Sequence, residues 1–310
     1  MKKFLGVVVA VAATSVSAAE VKFGDLNYFL TQGRSLMSAD LKWDTSEVTQ
    51  KNNPGQQTRE TEGPVVGARY AFALSDSLNV FGGLSYLYDN EVTPEGGSNF
   101  TQEGLRNPEF GINYRVMKQA DAQFNLDVGA VAKVAIDDQE IGSSTGGNEK
   151  SSNAYTRSGL GLNARLGNKW DEANEFYTIA GLVYNQSGEV TERDASGDTD
   201  IDLDSSFDLF LAGYYQYRPV NEFMLTFGAE ARRFGMTDGD SSGANFEVTP
   251  HIDYTFTFAA KYLITENFIA RFDYVGAMLN DYKYEISGAP DRKYENRRFM
   301  SMGLGVDFLF

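Results

Sequence analysis

The chain has 310 residues, and 43 Asp and Glu against 27 Lys and Arg leave a formal charge of −16. Such acidity excludes nucleic acid as the partner, because binding phosphates needs a basic patch. There is no cysteine, so neither disulfides nor thiolate metal sites are available, while 22 Phe, 17 Tyr and 31 Gly suit strands of which only alternate residues meet an apolar phase.

Met1, Lys2 and Lys3 precede an apolar run, Phe4 to Ala13, and a small-residue stretch, Ser15 to Ala19. This reads as a secretory signal over residues 1–19, with cleavage after Ala18 or Ala19. The run is too short for a spanning helix, and no later run comes near the ~18 apolar residues such a helix needs. If the exported chain enters a membrane, it does so as a β-barrel. Residues 20–33 are expected to be a periplasmic or lumen segment, ahead of a barrel over 34–310.

From there the hydrophobic pattern has period 2, the repeat of a strand. Met37, Ala39, Leu41 and Trp43 alternate with Ser38, Asp40 and Lys42, and a polar stretch follows from Gln50 to Glu62. Val66, Ala68, Tyr70 and Phe72 mark strand two, which turns at Ser75-Asp76-Ser77 into strand three, Leu78 to Tyr88. After the loop at Pro94 to Gly97, Phe110, Ile112, Tyr114 and Val116 mark strand four, turning near Lys118 to Asp121. Strand five alternates most cleanly, from Phe124 to Ile136.

A Gly/Ser-rich loop, Asp137 to Asn153, leads to strand six with Leu160, Leu162, Ala164 and Leu166. Strand seven, Phe176 to Tyr184, has ambiguous facing and is followed by an acidic loop from Gln186 to Asp204. Strands eight (Phe207 to Tyr217) and nine (Phe223 to Ala231) flank a turn at Arg218 to Asn221. Beyond the loop Thr237 to Asn245 lie strands ten (Ile252 to Tyr262) and eleven (Phe268 to Met278). The loop Ser287 to Asn296 returns to the last strand, in which Met300, Met302, Leu304, Val306, Phe308 and Phe310 face one way and Ser301, Gly303, Gly305 and Asp307 the other.

The pattern predicts an all-β, transmembrane, antiparallel up-and-down barrel of about twelve strands, with short periplasmic turns and long extracellular loops. Ten strands remain open if strand seven is not one, and fourteen if Val21 to Arg34 contributes pairing. Tyr86, Tyr88, Tyr214, Tyr215, Tyr254, Tyr262 and Tyr274 are expected at the membrane interfaces, facing outward or at the rim.

Through its signal sequence, its alternation and the terminal Val306-Asp307-Phe308-Leu309-Phe310, the chain resembles the Gram-negative outer-membrane β-barrel superfamily, and porin-like pore proteins in particular. The resemblance implies an outer-membrane channel for small hydrophilic solutes. It also implies that Phe308 and Phe310 form the signal read by the outer-membrane assembly machinery, with lipid and lipopolysaccharide as surroundings. A structural or surface-interaction barrel without an open pore is the alternative. Nothing in the residues fixes an oligomeric state.

Function then rests on the inward positions. Arg69, Arg115, Asp127, Lys133 and Arg165 are candidates from the first half, and Glu230, Asp253, Arg271, Asp273 and Asp307 from the second. Charges of both signs can line a watery constriction, or pair and plug a narrow barrel.

Catalysis is not expected. Twelve-stranded barrels include a phospholipase with a Ser–His pair, but the single histidine here, His251, has only Thr249 and Thr255 on its face, two and four residues along the strand. An omptin-like aspartate/histidine protease fails for the same reason. No cofactor is expected, and no metal site. Asp194, Asp198, Asp200, Asp202 and Asp204, with Asp238 and Asp240, lack a calcium-loop spacing and read as solvated loops, or as carboxylates bridged by divalent ions to lipopolysaccharide phosphates.

Overall fold

The computed structural model describes residues 29–310, except 53–54, 95–99, 120–123, 137–138, 143–149, 153–156, 195–196, 242–243 and 288–290. The signal sequence expected over 1–19, and the following residues up to 28, lie outside the described residues.

Twelve strands form the wall: β1 (Ser35–Asn52), β2 (Gly55–Ser75), β3 (Leu78–Pro94), β4 (Glu109–Met117), β5 (Asn125–Lys133), β6 (Gly159–Lys169), β7 (Asn174–Asn185), β8 (Ser206–Val220), β9 (Phe223–Phe234), β10 (His251–Thr265), β11 (Phe268–Leu279) and β12 (Arg292–Leu309). Each pairs antiparallel with the next, and β12 pairs with β1 from Leu36↔Leu309 to Lys51↔Lys293. The sheet is therefore closed at twelve strands, which leaves no edge and satisfies the backbone within the wall.

Alternation dictates the two faces. Leu304 on β12 is 69% exposed, and Leu211, Phe207 and Ile112 are exposed in the same way, whereas Asp307, three residues beyond Leu304, is 0% exposed. Large apolar side chains outside and carboxylates inside invert the rule for soluble domains and define a lipid-facing belt. Trp43, Tyr88, Tyr254 and Tyr262 stand on this outward face. One open facing is resolved and one assignment changes. Strand seven resolves with Phe176 outward and Tyr177 inward and buried. Tyr214, expected outward or at the rim, points inward and stacks on Tyr177 at 4.8 Å, because in the β7–β8 register it falls opposite Tyr177 and not opposite Phe176.

The expected long loops are largely β-structure. The polar stretch over 50–62 continues the β1–β2 ladder as far as Asn52↔Gly55. Among the described residues eight more strands rise from the wall. Gly188–Asp194 pairs with Gly197–Leu203, and Thr237–Ser241 with Ala244–Val248, which in turn pairs with Tyr282–Ile286. Phe100–Leu105 extends from β3, and Gln139–Gly142 and Lys150–Ser152 add short parallel pairings. Beyond the lipid a ladder needs only its backbone hydrogen bonds, so the apolar alternation disappears while the strand continues.

At the opposite end the turns are tight. Asp76 and Ser77 join β2 to β3, with Ser77 N–H donating to Ser75 Oγ at 3.2 Å. Between β6 and β7, Asp171 Oδ1 accepts the N–H groups of Ala173 and Asn174 at 2.8 Å each. The Asn174 side chain and these amides hold the Asp171 carboxyl below its ordinary value.

Candidate functional site

The interior is built from one residue in two on each strand. All ten predicted positions fall on the inward face, opposite the lipid-facing set, and they segregate into clusters.

The largest cluster joins β1, β10, β11 and β12. Arg271 donates from Nε to Asp273 at 2.6 Å, from Nη1 to Asp307 at 3.0 Å and from Nη2 to Asp40 at 3.2 Å. Lys261 Nζ lies 3.5 Å from the other Asp307 oxygen, and Lys42 lies 3.5 Å from Asp40. Near the periplasmic end Arg115 grips Asp127 through two bonds, 2.7 and 3.1 Å. Asp253, near the outer rim, receives Arg297 Nη2 at 3.3 Å. Buried charges need such partners, since an isolated ion away from water costs several kcal/mol.

A second group is aromatic. Arg165, 7% exposed, lies 3.5 Å from the Tyr177 ring centroid. Tyr214, stacked on Tyr177, lies flat across Gly228, where a Cβ would stand 2.4 Å from its ring. Glu230 pairs with Arg232 at 3.1 Å. Sequence reasoning found the charges here but missed the rings over which they lie. The alternation contained that information, in the form of aromatics at inward positions.

The remaining predicted residues differ. One row of direct cross-strand partners runs Lys133, Glu109, Gly83, Arg69, Ser38, Asp307 across β5, β4, β3, β2, β1 and β12. Lys133 and Glu109 form a pair at 3.1 Å with half their side-chain surface open. Arg69 is exposed, yet its register places it on the inward face of the wall.

The periplasmic mouth is occupied by the chain ahead of β1. Gly33, at φ +77°, turns the backbone, and its N–H donates to Ala73 O at 3.0 Å. Leu30 packs against Ala73 and Leu309, with Leu36 and Ala71 beside them, and Phe29 lies 4.1 Å beneath the Arg115 guanidinium. Both side chains are buried. An apolar pair among inward positions has no alternation of its own, so no sequence pattern distinguished the lumen from the periplasm for this segment.

At the outer rim four rings stack face to face along the wall: Phe234, His251, Tyr282 and Tyr294, each 4.8 Å from the next. Burial among these rings pushes the Tyr282 hydroxyl well above its ordinary value. His251 is thus clamped on both faces, and its Nδ1 lies 3.3 Å from the Thr249 carbonyl oxygen, not from a hydroxyl. The Thr249 hydroxyl instead accepts from Lys283 N–H at 2.9 Å.

Above the rim is an acidic depression of about 740 Å³, lined by Asp202, Asp204, Asp238, Asp240, Glu247 and Glu285 among others. Asp202↔Asp240, Asp238↔Glu247 and Glu247↔Glu285 are direct cross-strand partners. The side chains of Asp194 and Asp198 lie outside the described ones. Among the described residues no three His, Asp or Glu groups converge to hold a metal ion.

No protein-family model matches the chain, and no curated protein matches its sequence. Among solved structures it is similar to an outer-membrane channel from Pseudomonas putida F1, at 13% identity over 94% of this chain and 100% of that one, with a TM-score of 0.59. The NanC porin (12% identity, 86% and 98% covered, TM-score 0.46) and the KdgM porin (7%, 86% and 98%, TM-score 0.41) are also similar. The first likeness is one of fold, and it accords with the closed twelve-strand wall and its lipid-facing belt.

Proposed function

We propose that the protein is an outer-membrane channel through which small hydrophilic solutes or ions diffuse passively. One observation carries the reading: Arg69 faces the interior, is exposed, and makes no ion pair with a described carboxylate. An interior cation without a counter-charge requires water, and water that reaches it requires a path. Charges of both signs along the row from Lys133 to Asp307 would then order that water and select solutes by their field. The terminal Phe308 and Phe310 would serve as the signal for outer-membrane assembly; Phe308 packs on Phe268 at 5.0 Å, and the Phe310 backbone bonds to Ser35.

Reconstituted in a planar bilayer, the refolded chain should give discrete ohmic steps, and silence across a range of salts would sink the channel. The second reading, a structural barrel without an open pore, is favoured by Phe29 and Leu30 in the periplasmic mouth and by the pairing of most inward charges.

A further inference from the structure

The inward cations are not equivalent. Lys133 is paired with Glu109, Arg115 with Asp127, Arg232 with Glu230, Arg271 with three aspartates and Arg297 with Asp253. Their N–H groups are engaged and their charge is cancelled where it sits. Arg165 is buried against Tyr177. Among the described inward cations, Arg69 alone combines exposure with the lack of an ion pair to a described carboxylate.

Its surroundings are built to hold it that way. Phe81, on the neighbouring β3, lies flat across Gly111 of β4; a Cβ at Gly111 would stand 2.3 Å from Phe81 Cζ, so only glycine admits the ring in this pose. The Arg69 guanidinium carbon sits 4.3 Å from the centroid of that ring. The direct partners of Arg69 are Gly83 and Ser38, too small to crowd it. One face of the guanidinium thus rests on a π surface, which fixes its plane and leaves its N–H edges uncommitted.

We infer that Arg69 on Phe81 is the solute-reading station of the interior, and that it takes a small solute carrying a planar carboxylate. The fork of a guanidinium matches a carboxylate through two parallel bonds, which a point charge such as chloride cannot use. The neighbouring charges do not compete. Arg271, Lys42 and Lys261 match Asp40, Asp273 and Asp307, and Lys133 matches Glu109, so the level retains one positive charge, that of Arg69. The acidic depression does not overrule it. That depression lies on strands beyond the end of β11 at Leu279, eight residues from Arg271 or about 26 Å of strand, against a screening length of about 8 Å at physiological salt.

The inference rests on the interior being reachable by water, and its test separates the two ideas. In bilayers, acetate and chloride gradients are compared for the refolded full chain. Arg69→Gln should lower anion permeability and reduce the acetate-to-chloride ratio by about three- to fivefold, the scale of one net hydrogen bond. Arg69→Lys should keep the anion permeability but lose the acetate preference, and Phe81→Leu should behave likewise because the guanidinium loses its platform. Arg218→Gln, at the end of β8 where the Arg218 guanidinium donates to Asn221 O, far from the Arg69 row, serves as the unchanged control. Unaltered permeability and ratio in Arg69→Gln overturn the station.

If the chain does not conduct, the channel reading fails, and the station is then decided in micelles. Saturation transfer from the folded protein to acetate should be present in the native chain and lost in Arg69→Gln. Its absence in the native chain overturns the station independently.

Discussion

Arg271 Nη1 donates to Asp307 Oδ1 at 3.0 Å, tying β11 to the closing strand β12 through a carboxylate that is fully buried. Asp307→Asn removes the charge that answers both Arg271 and Lys261. Breaking a buried pair by one partner costs about 3–5 kcal/mol. Asp40 and Asp273 still serve Arg271, so the expected loss is smaller, about 1–3 kcal/mol. Urea unfolding in micelles measures it, and an unchanged midpoint would show that the cluster contributes no stability.

Arg115 and Asp127 should behave as a unit. Arg115→Ala and Asp127→Ala are each expected to destabilise, while the double variant should lose less than the two together, with a coupling of about 1–3 kcal/mol. The double variant should leave ion preference unmoved, because it removes two charges that cancel in place. Strict additivity would argue that the two bonds are energetically idle.

Phe29 and Leu30 make a separate prediction. Truncating both to alanine leaves the barrel ladder untouched but empties apolar volume among Ala73, Leu309 and the Arg115 face. Conductance per channel is expected to rise, with stability falling by about 5–10 kcal/mol. Equal conductance would mean that this pair does not obstruct the ion path.

On the outer hairpins, like charges directly opposite one another are destabilising. Glu247 faces both Asp238 and Glu285, so Glu247→Gln should stabilise this part of the ladder by roughly 0.5–1 kcal/mol, more at low salt than at high. Protease resistance of the extracellular hairpins at two ionic strengths measures this, and a loss of resistance contradicts it.

Asp171 gives a pH dependence with a definite sign. Its carboxyl is depressed in the folded turn by the Asn174 side chain and the Ala173 amide. Its contribution is therefore fully present above the unfolded value of about 3.9 and is lost as pH falls through the lowered folded value. Amide exchange at Ala173 and Asn174 should be slow at pH 5 and quicken, relative to neighbouring amides, only in stronger acid. A transition near neutrality would assign the turn to another group.

Most of the wall was legible because lipid imposes a strict rule on alternate residues. Leu160 to Leu166 and Met300 to Phe310 could be oriented before any contact was known, and Asp307 placed inward by its neighbours alone. Where lipid ends, the rule ends. Thr58, Thr61 and Glu62 carry no apolar period, so their strand was hidden although its backbone ladder is continuous. Tyr214 misled for a related reason, since a tyrosine suits an interface and an interior equally well. The lumen was legible as a set of positions but not as a set of partners. Arg69, Arg115 and Arg165 look alike in sequence, and only the cross-strand register decides that the second meets Asp127 while the first meets Gly83.

The row from Lys133 to Asp307 also makes the membrane an error-checker for folding. Because side chains alternate, slipping one strand by a single residue would turn its inward set toward hydrocarbon. Each misplaced Arg or Lys would then cost about 2–4 kcal/mol near the bilayer midplane. Slips exposing several of these charges would together cost several kcal/mol, a large share of the whole stability of an ordinary domain. The charges that serve the interior thus double as a test that the bilayer applies before it accepts the barrel.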